Sequence, residues 1–209
     1  LKMTGNVANL KILKPYHFIN LDFNQQYNYL YMLMARKNLD QPLNEPKNKL
    51  IKFNEQIASK YPDVIVGAGT VLSVEDAVRA IDSGAKYLVS PGYIPYVVGF
   101  AKSKNIFMIP GAATATEITK VVLQGISLIK IFPAVQLTPS FFKEIKGPFP
   151  HIKMVASGGI TINNAKEYVK AGAYAISMGT GLFKNESGAD IPENQFKERV
   201  KQLNSIFDE

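Results

Sequence analysis

Cysteine is absent from all 209 residues of the chain. Without a thiol, the protein cannot be a disulfide scaffold, hold zinc through cysteine or use a catalytic thiolate. Long apolar runs are also missing: no uncharged stretch approaches the roughly 20 residues of a membrane span, and the first residues lack the apolar region of a signal peptide. A reducing compartment agrees with these absences, and we expect a cytoplasmic protein.

Concentrated positive charge is missing as well, although the chain is basic. The formal net charge is +7, which suits either nucleic acid or small anions. The lysines are spread along the chain, with no arginine-rich block and none of the aromatic-basic interleaving of RNA-binding sheets. Solvated helix faces explain these lysines better than a nucleic-acid patch does. We therefore expect a small anionic ligand as the partner, and neither nucleic acid nor a membrane.

The chain does contain a regular alternation of apolar runs and amphipathic stretches. Its length and its hydrophobic fraction of 46% are sufficient for one sizeable core. Apolar runs predict buried strands at residues 64–70, 87–91, 106–111, 128–134, 152–159 and 173–179. Amphipathic stretches predict helices at residues 73–83, 94–103, from 114 onward, 138–146, 161–171 and 193–206. Apolar strands that are each followed by a helix indicate a parallel sheet covered on both faces.

Two of the predicted helices have clear start signals. Ser73 is a helix N-cap, with Glu75 and Asp76 in the first turn. Thr114, with Glu117 three residues later, forms a capping box. Each signal follows closely on an apolar run, as a strand–helix repeat requires.

Two architectures cover both faces of a parallel sheet with helices: an open, doubly wound sheet and a closed barrel of eight strands. The nucleotide fingerprint of the open sheet, G-x-G-x-x-G, is incomplete, because Leu72 stands where the third glycine is required. The barrel requires two further strand–helix units, which residues 17–36 and 38–60 supply, although a proline weakens the second strand. We predict a single-domain (β/α)8 TIM barrel of the α/β class over residues 1–209, with residues 1–10 as a loose arm.

Lys130 stands at the centre of one apolar run. Alternate side chains of a strand face opposite ways, so Lys130 shares a face with Leu128 and Phe132. A buried lysine has a lowered pKa, and a neutral amine in a dry pocket suits Schiff-base attack on a ketone. The alternative is a lysine that buries only its stem and extends its ammonium group to water.

Unusual residues occur at the C-terminal ends of the predicted strands, where a barrel of this type places its active site. They are Thr70, Pro91, Pro110–Gly111, Lys130, Phe132, Ser157–Gly159 and Met178–Thr180. Glycines let backbone N–H groups approach a ligand, and the N-terminus of a following helix adds partial positive charge. A phosphate site is therefore predicted after the last two strands. Taken alone, each glycine segment is equally well explained as a tight turn.

Together these segments resemble the 2-keto-3-deoxy-6-phosphogluconate (KDPG) aldolase family, which includes 4-hydroxy-2-oxoglutarate (KHG) and 2-keto-3-deoxy-6-phosphogalactonate aldolases. The resemblance covers about residues 62–184. The matching segments are Val66–Leu72, Ser90–Gly92, Ile109–Gly111, Thr114–Glu117, Lys130–Ala134, Gly147–Phe149 and Ser157–Ile160. It implies a class I aldolase on a (β/α)8 barrel, usually a homotrimer, without metal or other cofactor. The implied reaction cleaves a 2-keto-3-deoxy-6-phospho sugar acid to pyruvate and glyceraldehyde 3-phosphate.

The resemblance also implies a role for each residue of the candidate site. Lys130 corresponds to the Schiff-base lysine, and Asp40 stands where the family carries its glutamate general acid/base. The contacts with the pyruvate carboxylate and carbonyl correspond to Thr70, Pro91, Phe132 and Ser157, and the phosphate-binding backbone to Gly158, Gly159, Gly179 and Thr180. Asn44 shares the face of Asp40 and is a further candidate contact with substrate. Asn20 replaces an arginine that helps to hold the substrate in the family.

Two alternatives to an active aldolase remain open. The first is a phosphosugar-binding barrel with impaired catalysis, which the replacements at Asn20 and Asp40 favour. The second is another phosphate-binding barrel, such as an epimerase or a synthase, in which Lys130 only stabilises charge. The sequence does not distinguish the gluconate from the galactonate form of the substrate.

Overall fold

A computed structural model of the protein describes residues 67–208. Several predictions fall on residues 1–66 and lie outside the described residues. They are the N-terminal arm, the strand–helix units at 17–36 and 38–60, the beginning of the strand at 64–70, and the candidate residues Asn20, Asp40 and Asn44.

Strands and helices alternate through the described part of the chain. The strands are β1 (Gly67–Ala68), β2 (Tyr87–Val89), β3 (Phe107–Ile109), β4 (Gly111–Ala112), β5 (Leu128–Ile131), β6 (Lys153–Ser157) and β7 (Ala175–Ser177). The helices are α1 (Val74–Asp82), α2 (Pro95–Ser103), α3 (Ala115–Val122), α4 (Ala134–Ile145), α5 (Ile162–Lys170), α6 (Thr180–Phe183) and α7 (Glu193–Asp208). Between residues 67 and 208, no helix is both long and apolar enough to cross a membrane.

The strands form two parallel sheets, β1-β2-β3 and β4-β5-β6-β7. Only Pro110 separates β3 from β4, and its ring leaves no N–H group for a ladder bond. The hydrogen bonding nevertheless continues through this residue, because its carbonyl accepts from the Lys130 N–H at 2.9 Å. One parallel layer therefore runs from β1 to β7 in chain order. The predicted strand at 106–111 is confirmed, with a break at Pro110.

The two faces of this layer differ in character. On β5 and β6, Ile129, Ile131 and Met154 have no exposed surface and pack in the main core cluster, which also contains Phe142 of α4. Lys130 alternates with these residues and therefore points to the opposite face. The helices thus cover one face and leave the other for the site. The α/β class is confirmed, whereas closure into a barrel depends on residues outside the described range.

The predicted cap of α1 is confirmed, since Ser73 accepts a hydrogen bond from the Asp76 N–H at 3.0 Å. At α3, Thr114 accepts from the Glu117 N–H at 3.2 Å. The Glu117 carboxylate bonds the Ala113 N–H at 2.8 Å and the Thr114 hydroxyl at 3.1 Å. In the predicted capping box, the Glu117 side chain therefore binds the backbone N–H of Ala113, the residue before the cap, and not that of Thr114 itself.

The predicted start of a helix at Thr138 is confirmed, although a short helical turn precedes it. The element α4 consists of two helical pieces: it begins at Ala134, and Thr138 separates the pieces with non-helical angles, φ 61° and ψ 165°. Pro139 suits the first position of the second piece, because its missing N–H group would have no helical partner there. The turn that begins at Ala134 is the part that the sequence pattern does not predict.

Candidate active site

Lys130 lies on β5, half-buried on the face of the sheet that the helices leave free. Its Nζ lies 4.6 Å from the centroid of the Phe132 ring. It forms no ion pair with any carboxylate between residues 67 and 208. Burial therefore lowers the pKa of the Lys130 amine below its ordinary value of 10.5. A larger share of this amine is therefore neutral than at a surface lysine.

Pro91 reaches the neighbourhood of Lys130 through a close backbone contact. Gly111 on β4 pairs with Lys130 in register. A methyl group at Gly111 would lie 2.0 Å from the Pro91 carbonyl oxygen, so only glycine allows the two backbones to approach in this way. The Ser90 hydroxyl donates to the Gly92 carbonyl at 2.7 Å and holds this turn.

Thr70 lies further along the layer, just after β1. The chain at this point is tied to β2 by a 3.0 Å hydrogen bond from the Val71 N–H to the Val89 carbonyl. Thr70 has a φ of 56°, in the left-handed region that residues other than glycine seldom occupy. Backbone strain of this kind is concentrated at functional sites. Thr70 therefore lies at the end of β1, next to the strand that leads into the turn with Pro91.

Ser157 lies on the same strand face as Val155, the residue that pairs with Lys130. It is 6% exposed, and its hydroxyl makes no hydrogen bond to any group between residues 67 and 208. The other buried serines in that range differ, because Ser83 and Ser90 each donate to a backbone carbonyl. A buried hydroxyl without a protein partner is a natural contact for a bound ligand.

Ser177 is a polar residue of the site that the sequence reasoning missed. It ends β7, pairs in register with Ser157 and is exposed. Adjacent parallel strands lie about 4.8 Å apart, so the two serines are close neighbours. The alternation of side chains along β7 could have identified Ser177. Ile176 packs on the core cluster, so its neighbours Ala175 and Ser177 face the site.

The turn after β6 lies directly beside Phe132. Gly158 and Gly159 have φ values of 91° and 75°. A methyl group at Gly158 would lie 2.9 Å from two carbon atoms of the Phe132 ring, and one at Gly159 would lie 2.4 Å from a methyl group of Val135. Asn164 of α5 holds this turn through a 3.1 Å bond to the Gly159 carbonyl. The backbone of Gly158 therefore lies against the Phe132 ring, the aromatic neighbour of Lys130.

The second glycine segment, after β7, contacts the first. Gly179 is the N-cap of α6, and Thr180 is its first residue. A methyl group at Gly181 would lie 2.2 Å from the Ile160 carbonyl oxygen, so the chain after Thr180 packs against the turn after β6. The helix α6 is a single turn of four residues, too short to provide the predicted N-terminal charge. At this end of the site, the groups that could bind an anion are the backbone N–H groups of the two glycine segments.

The arrangement of these groups defines a class of protein. At one edge of its sheet, a parallel α/β fold presents a half-buried lysine, a buried hydroxyl and two backbone segments, and neither side chain has a hydrogen-bond or ion-pair partner among residues 67–208. An enzyme that acts on a carbonyl compound carrying an anionic group requires these functional groups.

A family model for KDPG and KHG aldolase matches residues 48–198, and the chain belongs to this family. It is 42% identical over 114 residues to 2-dehydro-3-deoxy-phosphogluconate aldolase of Treponema pallidum strain Nichols, a match that covers 54% of each chain. It is 31% identical over 162 residues to 2-dehydro-3-deoxy-6-phosphogalactonate aldolase of Escherichia coli strain K12, which covers 77% of this chain and 78% of that one. In the first of these matches the chain spans about half the length of its relative.

The fold also matches that of a solved structure from the family. KDPG aldolase of Legionella pneumophila, with pyruvate captured as a covalent carbinolamine intermediate, superposes with a TM-score of 0.62 over 86% of each chain. The two sequences are 23% identical in this comparison. At this identity the likeness concerns the fold, and it agrees with the α/β architecture described above.

Proposed function

We propose that the protein is a class I aldolase that cleaves a 2-keto-3-deoxy-6-phospho sugar acid to pyruvate and glyceraldehyde 3-phosphate. The observation that carries the proposal is the environment of Lys130: it is half-buried, has no carboxylate partner between residues 67 and 208, and has a lowered pKa. Attack on a ketone requires such a neutral amine. The names of the relatives and the carbinolamine in the Legionella protein support the same chemistry.

The first covalent step joins Lys130 to the substrate. The neutral Nζ attacks the C2 ketone, and the resulting carbinolamine loses water to become an iminium ion. Removal of the C4 hydroxyl proton then converts this oxygen into an aldehyde carbonyl while the C3–C4 bond breaks. The electron pair of that bond moves to the iminium and forms an enamine on Lys130. Protonation at C3 and addition of water at C2 release pyruvate and restore the amine.

We assign the proton transfers at the C4 hydroxyl to Asp40, which stands where the family carries a glutamate. Aspartate is one methylene shorter, so its carboxylate is displaced by about 1 Å from the position of the glutamate group. A displacement of this size can cost roughly 10²-fold in rate. The proposed enzyme is therefore slow.

The two ends of the substrate bind to different groups in this proposal. Ser157 donates its hydroxyl, which has no partner among the described residues, to the pyruvate carboxylate, and the Phe132 ring covers the reacting carbons. The other contacts with the pyruvate moiety are Thr70, Pro91 and Asn44. The phosphate dianion accepts hydrogen bonds from backbone N–H groups of Gly158, Gly159, Gly179 and Thr180.

The family resemblance supports two further proposals. We propose that the protein forms a homotrimer, a state that light scattering on the purified chain would measure. We also propose that it acts in the cytoplasm, where cell fractionation would find it.

A cleavage assay tests the proposed function. Purified protein is incubated with the gluconate and galactonate forms of the phosphorylated acid, and pyruvate is measured through a coupled reduction. One form is expected to yield equimolar pyruvate and glyceraldehyde 3-phosphate, faster than its dephospho counterpart. Binding of both forms without cleavage would instead support the impaired phosphosugar-binding barrel. Conversion without a three-carbon product would support an epimerase or synthase.

A further inference from the structure

We propose that Arg199 of α7 is a positioning residue that holds the anion-binding segment Gly179–Thr180 in place. This inference rests on the proposed function for the identity of the anion. Its structural basis is a set of contacts between α7 and α6, outside the residues that touch substrate in the proposed mechanism.

The Arg199 side chain binds the backbone that directly follows the anion-binding segment. Its Nη1 donates hydrogen bonds to the carbonyls of Gly181, Leu182 and Lys184, at 3.0, 3.3 and 2.8 Å. A one-turn helix such as α6 leaves its last carbonyls without helical partners. One cationic group satisfies these carbonyls, and hydrogen bonds from an ionised donor are stronger than neutral ones.

A second contact fixes the same short helix from the same face of α7. Phe196 stands three residues before Arg199, so the two side chains share one helix face. The Phe196 ring stacks on the Phe183 ring, with centroids 5.0 Å apart and an interplanar angle of 22°. The chain returns from α6 to α7 through a 3.0 Å hydrogen bond from the Ile191 N–H to the Phe183 carbonyl. Arg199 and Phe196 together thus bind α6 through its backbone carbonyls and through a side chain.

The position of α6 determines how the two glycine segments meet. Gly181 packs so closely on the turn after β6 that a methyl group there would lie 2.2 Å from the Ile160 carbonyl oxygen. Movement of α6 therefore changes the separation between Thr180 and Gly159, which belong to opposite halves of the proposed anion site. The Arg199 Nη1 is already bound to carbonyls, so it acts on the ligand through the backbone.

Lys130 lies on a strand that backbone pairing holds on both sides. β4 and β6 pair with β5 in register, although Phe183 and Phe196 share the main core cluster with Ile129 and Ile131. None of the hydrogen bonds of Arg199 between residues 67 and 208 reaches these strands. Loss of Arg199 should therefore weaken phosphate binding and leave the reaction of Lys130 with pyruvate intact.

The test compares Arg199→Met and Arg199→Lys with Arg79→Met, a control on α1 that removes a half-exposed arginine whose partner is Asp76. For each protein, KM and kcat are measured with phosphorylated and dephospho substrates, and the Kd for inorganic phosphate is measured by calorimetry. Arg199→Met is expected to raise KM for the phosphorylated acid and the phosphate Kd by about tenfold, within the roughly 10²-fold range of a 1 Å displacement. The dephospho kcat/KM and the control should stay unchanged.

Arg199→Lys keeps the charge on a shorter side chain, whose ammonium group ends short of the position of Nη1, so its KM should be intermediate. This variant decides the matter if the methionine variant does not fold. An equal loss with both substrates, or no change in KM and phosphate Kd, would overturn the inference. Wild-type cleavage without a preference for phosphate would overturn this inference and leave the aldolase standing. If the wild type cleaves neither substrate but binds phosphate in a way that depends on Arg199, the inference on Arg199 stands and the aldolase activity is overturned.

Discussion

The two ends of the candidate site are built from different parts of the chain. At the Lys130 end, the proposed contacts with substrate come from side chains: an amine against the Phe132 ring and the hydroxyl of Ser157. At the glycine end, the proposed contacts come from backbone, to which side chains such as Asn164 and Arg199 donate hydrogen bonds. The lysine end therefore depends on burial, whereas the glycine end depends on how closely segments approach one another.

This difference predicts that substitutions at the two ends have separable effects. Changes at the lysine end should affect phosphorylated and dephospho substrates alike, because both carry the keto acid. Changes at the glycine end should affect only the phosphorylated substrate, since they remove binding that ground and transition states share.

The largest effect is expected from Lys130→Met, which removes the nucleophile. Cleavage of both substrates should fall below detection in the coupled assay, and no pyruvate adduct should form. The variant should fold, because the apolar side chain avoids the desolvation cost of a charged amine.

The melting temperature of this variant provides its control. The pKa of Lys130 is lowered in the folded state, so burying the charged amine costs stability below the folded pKa, and this cost is lost as pH rises towards 10.5. Methionine should therefore stabilise the protein at pH 7, and a gain of ~1 kcal/mol would raise Tm by roughly 2–4 °C. The difference should shrink at pH 10. Retained cleavage would remove Lys130 from the mechanism.

The next largest effect is expected from Asp40→Asn, which removes the proposed acid/base and should lower kcat roughly 10²-fold for both substrates. Asp40→Glu should restore part of the family geometry and increase turnover. The matched control is Glu45→Gln, a nearby carboxylate of opposite strand parity, which should change little. Inactivation by Glu45→Gln instead would mean that the predicted register of residues 38–46 is wrong.

Ser157→Ala sharpens the comparison from the lysine end. A hydrogen bond to a charged group contributes about 1.5–3 kcal/mol, so kcat/KM should fall roughly tenfold or more with both substrates. Its Tm should not fall, because the hydroxyl has no partner between residues 67 and 208. Ser83→Ala is the control: that buried hydroxyl donates to the Ala80 carbonyl at 2.8 Å, so stability should drop and activity persist. If Ser157→Ala lowered kcat/KM for the phosphorylated substrate alone, Ser157 would belong to the anion-binding end and not to the lysine end.

Gly159→Ala should have the smallest effect, a several-fold rise in KM for the phosphorylated substrate alone. The added methyl group would lie 2.4 Å from Val135 and must displace the turn. Gly125→Ala is a matched control, because Gly125 has a similar φ of 73° but nothing within 4 Å of an added methyl group. It carries the same backbone strain without the crowding. Equal KM changes in the two variants would show that strain, and not the anion site, causes the effect.

Much of the fold between residues 67 and 208 follows from local patterns in the sequence. Ser73 and Thr114 begin helices as predicted, because a cap requires only residues within one turn. The helix start at Thr138 follows from a threonine–proline pair in the same way, whereas the turn before it, from Ala134, has no such local signal. The short helix α6 was not predicted, since a single turn has no usable periodicity.

The site divides in the same way. The surroundings of Lys130 were predictable, because an apolar run around a lysine specifies burial whatever packs against it. Arg199 and Ser177 were not, since their roles depend on contacts between elements distant in sequence, such as Arg199 with the Gly181 carbonyl. No local pattern records that Gly181 packs against Ile160, although the missing side chain is what permits the contact.

The most direct test of the central claim is to trap the Schiff base. The protein is incubated with pyruvate and borohydride over a range of pH, and the modified lysine is identified by peptide mass spectrometry. Labelling should occur at Lys130, with a rate that reaches half its maximum below pH 10.5, because burial lowers the pKa of this amine. Labelling of exposed lysines only, or none above background at any pH, would contradict the account.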